Sequence, residues 1–347
     1  NRYNSFFIFV CICLLMVSCS KNDDSSENVV TITPKVIAVE NFADKIINQS
    51  TSNKATNLIN KASSLINTLY FDGISADISI NKETETMSNF SMNQTANQHK
   101  GKNNAALNTS NTMISPSTYY RFMLFNNNQS SDDWRATWLI RGGTSNSVVL
   151  DGNTTYRWYA GSYNEETSLP SLDYNQTTMP IDDVTSEFMN ASGTVITSAK
   201  NNYINFTFQR KTAALTFIFD ARKMNSKITQ ISLSPVDKTI LKGGTFDLVT
   251  NQIVSLKNPT ISTLNDIKWK NYSSSTGDSV KVASFYTLGT TDITNFGIRL
   301  ENLVLENFSD AQNPITYIYT NKQMQLPVTI SPRPGQRNTF TITLNKL

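Results

Sequence analysis

The side chains that could bind a metal or act as nucleophiles are few. All three cysteines, Cys11, Cys13 and Cys19, fall within the first nineteen residues, and His99 is the only histidine of the 347-residue chain. Zinc sites and Cys-His catalytic pairs need several such side chains close together. We therefore predict no metal, no cofactor and no catalytic residue in the body of the chain.

Three pairs of adjacent carboxylates are the remaining candidates for acid–base chemistry: Asp132-Asp133, Glu165-Glu166 and Asp182-Asp183. Glycoside hydrolysis needs two carboxyl groups about 5–10 Å apart, one of them with a raised pKa. Adjacent acids in Asn-rich turns are normally solvated and keep ordinary pKa values. We interpret these pairs as surface charges and expect a protein that is not an enzyme.

The cysteine with the clearest chemistry is Cys19, which ends an apolar stretch. The twelve residues 6–17, "FFIFVCICLLMV", are too few to span a bilayer, which takes about 20, but have the length of a signal-peptide core. The following "MVSC" resembles the lipobox of bacterial lipoprotein signals. It predicts a signal peptide over residues 1–18, cleavage between Ser18 and Cys19, and acyl chains on Cys19. An ordinary signal peptide with a chance cysteine is the alternative.

Composition narrows the class of partner. The 30 basic and 27 acidic residues give a formal net charge of +3, which favours no nucleic-acid partner. Only 16% of residues are charged and 10% are aromatic, with abundant Asn, Thr and Ser, which is typical of extracellular β-rich proteins. Residues 19–28 are polar and acidic and are expected to form a flexible tether after the lipidated cysteine.

Most of the chain alternates apolar and polar residues with period two between turn residues, which predicts strands. We expect an all-β protein of two tandem β-sandwich domains, residues 29–198 and residues 199–347. One exception is residues 52–70, where Leu58, Ala62, Leu65 and Leu69 recur at helical spacing and predict a short amphipathic helix.

Several passages resemble the fimbrillin family, the lipoprotein-derived pilus subunits and anchor proteins of anaerobic Gram-negative bacteria. They are "YYRFMLFNNN", "VVLDGNTTYRWYAGSYNEETSLP", "IDDVTSEFMNASG", "YINFTFQRKTAALTFIFD" and the terminal "PGQRNTFTITLNKL". The resemblance implies sandwiches of Greek-key, transthyretin-like topology. It also implies a lipid-anchored outer-membrane or fimbrial location and a structural, anchor or accessory role that contributes to adhesion.

The resemblance further implies assembly by β-strand complementation with other pilus subunits. A donor strand alternates apolar and polar residues at a chain end, as Phe340, Ile342 and Leu344 do. The same residues could instead form the closing strand of their own domain, and the sequence does not separate the two. The acceptor groove would open if a strand around residues 29–39 were removed.

Processing is the point at which this chain departs from the family pattern. No arginine occurs between Cys19 and Arg121, so an arginine-specific protease would find no site near the first strand. Cleavage would need a lysine such as Lys35 or Lys45, or another protease. Without it the lipid stays in place, which favours a membrane-retained anchor or accessory subunit over a stalk subunit.

Two further hypotheses concern ligands at the cell surface. Ser279, in "DSV", resembles the acceptor of a short O-glycosylation motif. A cluster of aromatic residues could stack on sugars, which would suit a glycan-binding lipoprotein of a nutrient-uptake system, although on alternating strands core packing is favoured. Its members are Trp134, Trp138, Tyr156, Trp158, Tyr159 and Tyr163. Ligands on host or bacterial surfaces would accompany an adhesive role.

Overall fold

Strands make up nearly all of the regular structure. The structure, a computed structural model, describes residues 29–44, 64–71, 73–80, 111–126, 134–144, 146–166, 169, 176–198, 202–259, 267–309 and 314–347. Twenty-one strands lie within these ranges: β1 (Val29–Glu40), β2 (Ala43–Asp44), β3 (Ser64–Phe71), β4 (Ile74–Ile80), β5 (Asn111–Thr112), β6 (Tyr119–Asn126), β7 (Trp134–Arg141), β8 (Val148–Asp151), β9 (Thr155–Ser162), β10 (Thr178–Ile181), β11 (Met189–Ile196), β12 (Asn202–Arg210), β13 (Ala213–Asp220), β14 (Ser226–Pro235), β15 (Gly243–Asp247), β16 (Gln252–Lys257), β17 (Lys270–Asn271), β18 (Val280–Thr287), β19 (Ile293–Asn307), β20 (Ile315–Ile330) and β21 (Gln336–Lys346). Two single 3₁₀ turns, Arg222–Met224 and Gly277–Ser279, interrupt them. The predicted all-β class is confirmed.

The first sheet has the order β5-β1-β12-β11-β9-β6-β7, and β8 also pairs with β1. One of its faces covers a core rich in aromatic residues, including Tyr120, Phe122, Tyr156, Phe206 and Phe208. These side chains come from strands far apart in sequence. Because successive side chains of a strand point to opposite faces, every second residue of each strand lies on the face toward this core.

A second sheet, of order β17-β18-β13-β21-β4-β3 with β2 also paired to β21, packs on the three-stranded sheet β14-β19-β20. The core between them includes Phe217, Phe285, Phe296 and Phe340. β13 is buried on both faces, as expected for an interior strand. A fourth sheet, β10-β15-β16, covers the other face of β6 and β9 around Phe246.

The expected division at residue 198 does not follow the sheets. β12, assigned by sequence to the second domain, pairs with β1 and β11 and sends Ile204, Phe206 and Phe208 into the first core. Conversely β3 and β4 belong to the sheet that contains β21. Alternation fixes which face of a strand is apolar but not which sheet the strand joins, so the two bodies interleave along the chain.

The predicted helix over residues 52–70 is wrong in its last part. Residues from Ser64 onward form β3, which pairs with β4 around a turn at Gly73, where φ is +80°. Leu65, placed by helical spacing on the buried stripe, is 59% exposed, whereas Ile66 and Phe71 pack on the second core. Pairing with β4 and burial of alternate residues outweigh the helical pattern. Residues 52–63 lie outside the described residues.

Candidate functional site

The first strand, β1, is the element that the sequence singled out as removable. It runs parallel to β12 from the pair Ile32–Asn202 to the pair Val39–Phe208. On its other edge, residues 29–32 pair with β8 and residues 39–40 pair with β5. Between these two contacts, no strand of the described residues covers the outer edge of residues 33–38. This gap accommodates Pro34, which has no N–H to offer a neighbouring strand.

Three residues of β1, Ile32, Val36 and Val39, pack in the first core, with exposures of 0%, 8% and 2%. Val30 and Ala38 are also buried, with exposures of 5% and 8%. The register with β12 shifts between Val36 and Ala38, which makes Ile37 a bulge residue, and Ile37 is exposed. A fully buried aliphatic side chain contributes about 1.5–3 kcal/mol. Removing β1 would therefore leave an apolar groove along β12.

The floor of this groove is aromatic. The Tyr120 ring makes edge contacts with Phe206 and Phe208 at centroid distances of 5.8 and 5.9 Å, and the Tyr120 hydroxyl lies 3.5 Å from the Pro34 carbonyl oxygen. Burial raises the pKa of Tyr120 above its ordinary value, so the hydroxyl stays protonated. The groove is thus shaped for alternating apolar side chains, with one polar contact to the strand backbone.

Of the predicted processing and anchoring residues, the structure describes Lys35. It is exposed on β1, within the gap between β8 and β5. Lys45, Ser18 and Cys19 lie outside the described residues, so cleavage after Lys45 and lipidation of Cys19 remain predictions.

The candidate donor strand lies in the interior of its own sheet. β21 pairs with β13 on one side and with β4 on the other. Phe340, Ile342 and Leu344 are buried in the second core with exposures of 0%, 0% and 1%, and the Phe340 ring stacks on Phe217 at 5.3 Å. In this structure β21 is therefore a strand of its own chain's sheet, as in the closing-strand alternative. A donor role would require β21 to leave both neighbours.

Asn338, on the core-facing side of β21, gives a first prediction. It is 1% exposed, and neither amide atom of its side chain has a hydrogen-bond partner among the described residues. Burying a polar group without a partner costs about 1–3 kcal/mol. Replacing Asn338 with valine is expected to raise the free energy of unfolding by a similar amount, measured by urea denaturation.

Asn345 supplies the matched control on the same strand. Its amide donates to a carboxylate oxygen of Asp77 at 2.9 Å, so Asn345→Val is expected to lower stability. A loss of stability in Asn338→Val as large as in Asn345→Val would contradict the cost assigned to the buried amide.

The aromatic cluster proposed for sugar stacking belongs mainly to the cores. Tyr156, Trp158 and Tyr159 are 0%, 6% and 9% exposed, and Trp138 packs against the first core. The Tyr163 hydroxyl donates to the Pro180 carbonyl oxygen. The side chain of Trp134 lies outside the described residues. These packed rings favour the core interpretation over a glycan-binding platform.

Two of the carboxylate pairs serve local structure. Glu165 accepts from Lys268 and Ser186, Asp183 accepts from the Thr185 backbone at 2.7 Å, and Asp182 pairs with Lys257 at 2.5 Å. Within the described ranges, no three His, Cys, Asp or Glu side chains are grouped so that they could hold a metal.

Ser279 ends a 3₁₀ turn and is half-buried. Its backbone carbonyl accepts from the amide of Ala221 and its neighbour Asp278 pairs with Lys281 at 2.7 Å. Ser279 therefore lies at the surface end of β18, and its glycosylation remains a prediction.

Sequence reasoning missed a cluster of buried charges where β1 leaves the first sheet. Arg210 pairs with Glu187, and the two side chains are only 9% and 6% exposed. The Arg210 guanidinium also lies over the ring of Phe42, 4.1 Å from its centroid, as Arg337 does at 4.8 Å. Glu187 follows Phe42 by 145 positions and Arg210 follows Glu187 by 23, and Arg337 comes more than 100 positions after Arg210. No spacing pattern could therefore have joined them.

Comparison with known proteins gives structural neighbours only. No family model matches the sequence, and no curated protein matches it. A solved structure described as a candidate cell adhesion protein of Bacteroides fragilis is 14% identical, with a TM-score of 0.44, covering 91% of this chain and 93% of that one. The fimbrial anchor protein Mfa2 of Porphyromonas gingivalis is 10% identical, with a TM-score of 0.30, covering 55% and 72%.

A third neighbour, from Bacteroides thetaiotaomicron, is described as a candidate polysaccharide-binding protein. It is 10% identical with a TM-score of 0.32, covering 68% of this chain and 86% of that one. In the described part of the chain, none of the helical segments has the length and apolar character needed to cross a bilayer. Similarity at these values is weak.

Proposed function

We propose that this protein is a fimbrillin-like subunit of a cell-surface assembly and that its β1 groove accepts a strand from another subunit. A single observation carries the proposal. β1 lies near the edge of the first sheet and places Ile32, Val36 and Val39 in an aromatic-lined groove along β12. Such a groove offers backbone pairing for affinity and side-chain pockets for specificity, which is how β-strand addition works.

The buried position of β21 favours an acceptor role. Withdrawing β21 would expose Phe340, Ile342 and Leu344 and break its pairing with β13, β4 and β2 inside a sheet, whereas β1 has an outer edge that no described strand covers over residues 33–38. A subunit that accepts a strand and donates none suits the end of an assembly. An uncut chain with acyl chains on Cys19 would keep β1 in the groove and act as an anchor or accessory subunit at the outer membrane, contributing to adhesion, whereas a cut beyond β1 would remove Cys19 with the strand and open the groove to another subunit.

Strand uptake tests the proposal directly. A chain that begins after Glu40 is expected to bind a synthetic peptide of residues 29–40 and to regain thermal stability, because the peptide refills the groove. The uncut chain should bind the same peptide far more weakly. The measurement is fluorescence anisotropy of a labelled peptide, with a melting curve for each complex.

A peptide with Ile32→Asp and Val36→Asp is the control, since it keeps the backbone and places charges at two of the three core positions. Equal binding of both peptides, or no binding to the shortened chain, would exclude the groove as an acceptor. The mass and N-terminal residue of the protein taken from its own cells then separate a retained anchor, acylated at Cys19, from a processed subunit that begins after Lys35 or Lys45.

A further inference from the structure

The corner that follows β1 joins the two sheets through one aromatic ring. β1 ends at Glu40 in the first sheet, and after two residues Ala43 and Asp44 pair with Gln336 and Arg337 of β21 in the second. Phe42 lies at the crossing and is half-buried.

Three strands hold the Phe42 ring. The guanidinium carbon of Arg210, from β12, lies 4.1 Å from the ring centroid, and that of Arg337, from β21, lies 4.8 Å away. The ring of Tyr286, from β18, stacks at 6.2 Å with an angle of 28°. We name this arrangement the Phe42 clasp. Cation–π contacts strengthen when the cation is shielded from water, as Arg210 is here.

Two further contacts fix the position of the Arg210 side chain in the clasp. Its Nε donates to the Glu40 carbonyl oxygen at 2.7 Å, and its guanidinium pairs with Glu187. Burial lowers the pKa of Arg210 to about 10, with the nearby Arg337 charge adding to the effect, so Arg210 is still charged at neutral pH. Both guanidinium groups contact the same ring, so loss of the ring would remove both cation–π contacts.

β1 is divided at its bulge. The register with β12 is continuous from Ile32 to Val36, shifts at Ile37, and resumes at Ala38. The half before the bulge is paired with β8, whereas the half after it is paired with β5 and ends at the clasp. Lys35 lies in the first half, just before the bulge.

We propose that the Phe42 clasp holds the second half of β1 in the groove independently of the first half. A cut after Lys35 then frees only the residues up to Lys35 and leaves the Val36 and Val39 positions filled. Emptying the whole groove requires a cut between Val39 and Phe42, as in the chain that begins after Glu40, or release of Phe42 together with the strand. The biological consequence rests on the proposed function, but the independence of the two halves does not.

Hydrogen exchange in the intact chain tests the clasp by itself. Phe42→Ala, and more mildly Phe42→Leu, should speed amide exchange in residues 36–40 by about tenfold or more and leave residues 29–33 within about twofold. Phe308→Ala is the matched control, because the Phe308 ring lies 4.5 Å from the Lys227 Nζ and far from β1 in sequence. Unchanged exchange in residues 36–40, or equal acceleration in both halves, would overturn the proposal.

Peptide uptake after brief digestion with a lysine-specific protease tests the consequence. Wild-type chains whose mass shows a cut at Lys35 should bind peptides of residues 29–35 and 29–39 with equal affinity, because only the first half of the groove is open, whereas the Phe42→Ala chains should bind the longer peptide more tightly. Tighter uptake of the longer peptide by the cut wild-type chain would overturn the proposal. Binding of neither peptide by any cut chain would reject the acceptor function, while the exchange data would still decide the clasp.

Discussion

Replacing Phe340 with alanine is expected to lower the free energy of unfolding by about 3–5 kcal/mol, the usual cost of emptying a buried phenylalanine site. Phe340 is 0% exposed, stacks on Phe217 at 5.3 Å and contacts Phe296 at 6.3 Å. The surrounding sheets are fixed by strand pairing on both sides of β21, so the cavity can collapse only in part. Urea denaturation followed by tryptophan fluorescence measures the change.

Thr339→Ala is the control for this prediction, since Thr339 lies on the opposite face of β21 and should change stability by less than about 0.5 kcal/mol. The comparison also separates the two roles considered for the C-terminal strand. A β21 that is normally free to donate would leave the stability of the isolated chain the same in Phe340→Ala as in Thr339→Ala.

The second large effect is expected from Arg210→Ala, which should cost about 3–5 kcal/mol because it leaves the Glu187 carboxylate buried without its cation. The same substitution removes the hydrogen bond to the Glu40 carbonyl oxygen and the cation–π contact with Phe42. Breaking a buried pair on one side is costly even where the intact pair contributes little. The midpoint of urea denaturation should fall accordingly.

The exposed pair of Lys257 and Asp182 provides a comparison with an ion pair in water. Both side chains are 50% exposed, so Lys257→Ala should cost no more than about 1 kcal/mol. Similar losses in Arg210→Ala and Lys257→Ala would show that the Glu187–Arg210 pair is not shielded as the structure places it.

Some of the candidate site could be predicted from residues alone. The alternation in "VVTITPKVIAVE" predicted a strand interrupted at Pro34; the strand is confirmed as β1, but it continues through Pro34, and Lys35 is exposed. The alternation in "FTITL" likewise marked Phe340, Ile342 and Leu344 as buried together. Whether they are buried in this chain or in a neighbour is a question of partners, and a period-two pattern is the same in both cases.

The sequence by itself determined that the described chain is built of strands, since side-chain period and turn residues are local properties. Only the tertiary structure decided that β12 joins β1, that β3 is a strand, and that β21 lies between β13 and β4. Each of these depends on contacts between residues more than a hundred positions apart or on a competition between local patterns. The contact of Phe42 with Arg210 and Arg337 depends most on the tertiary structure. The two arginines belong to different sheets, so they meet the same ring only when both sheets have formed.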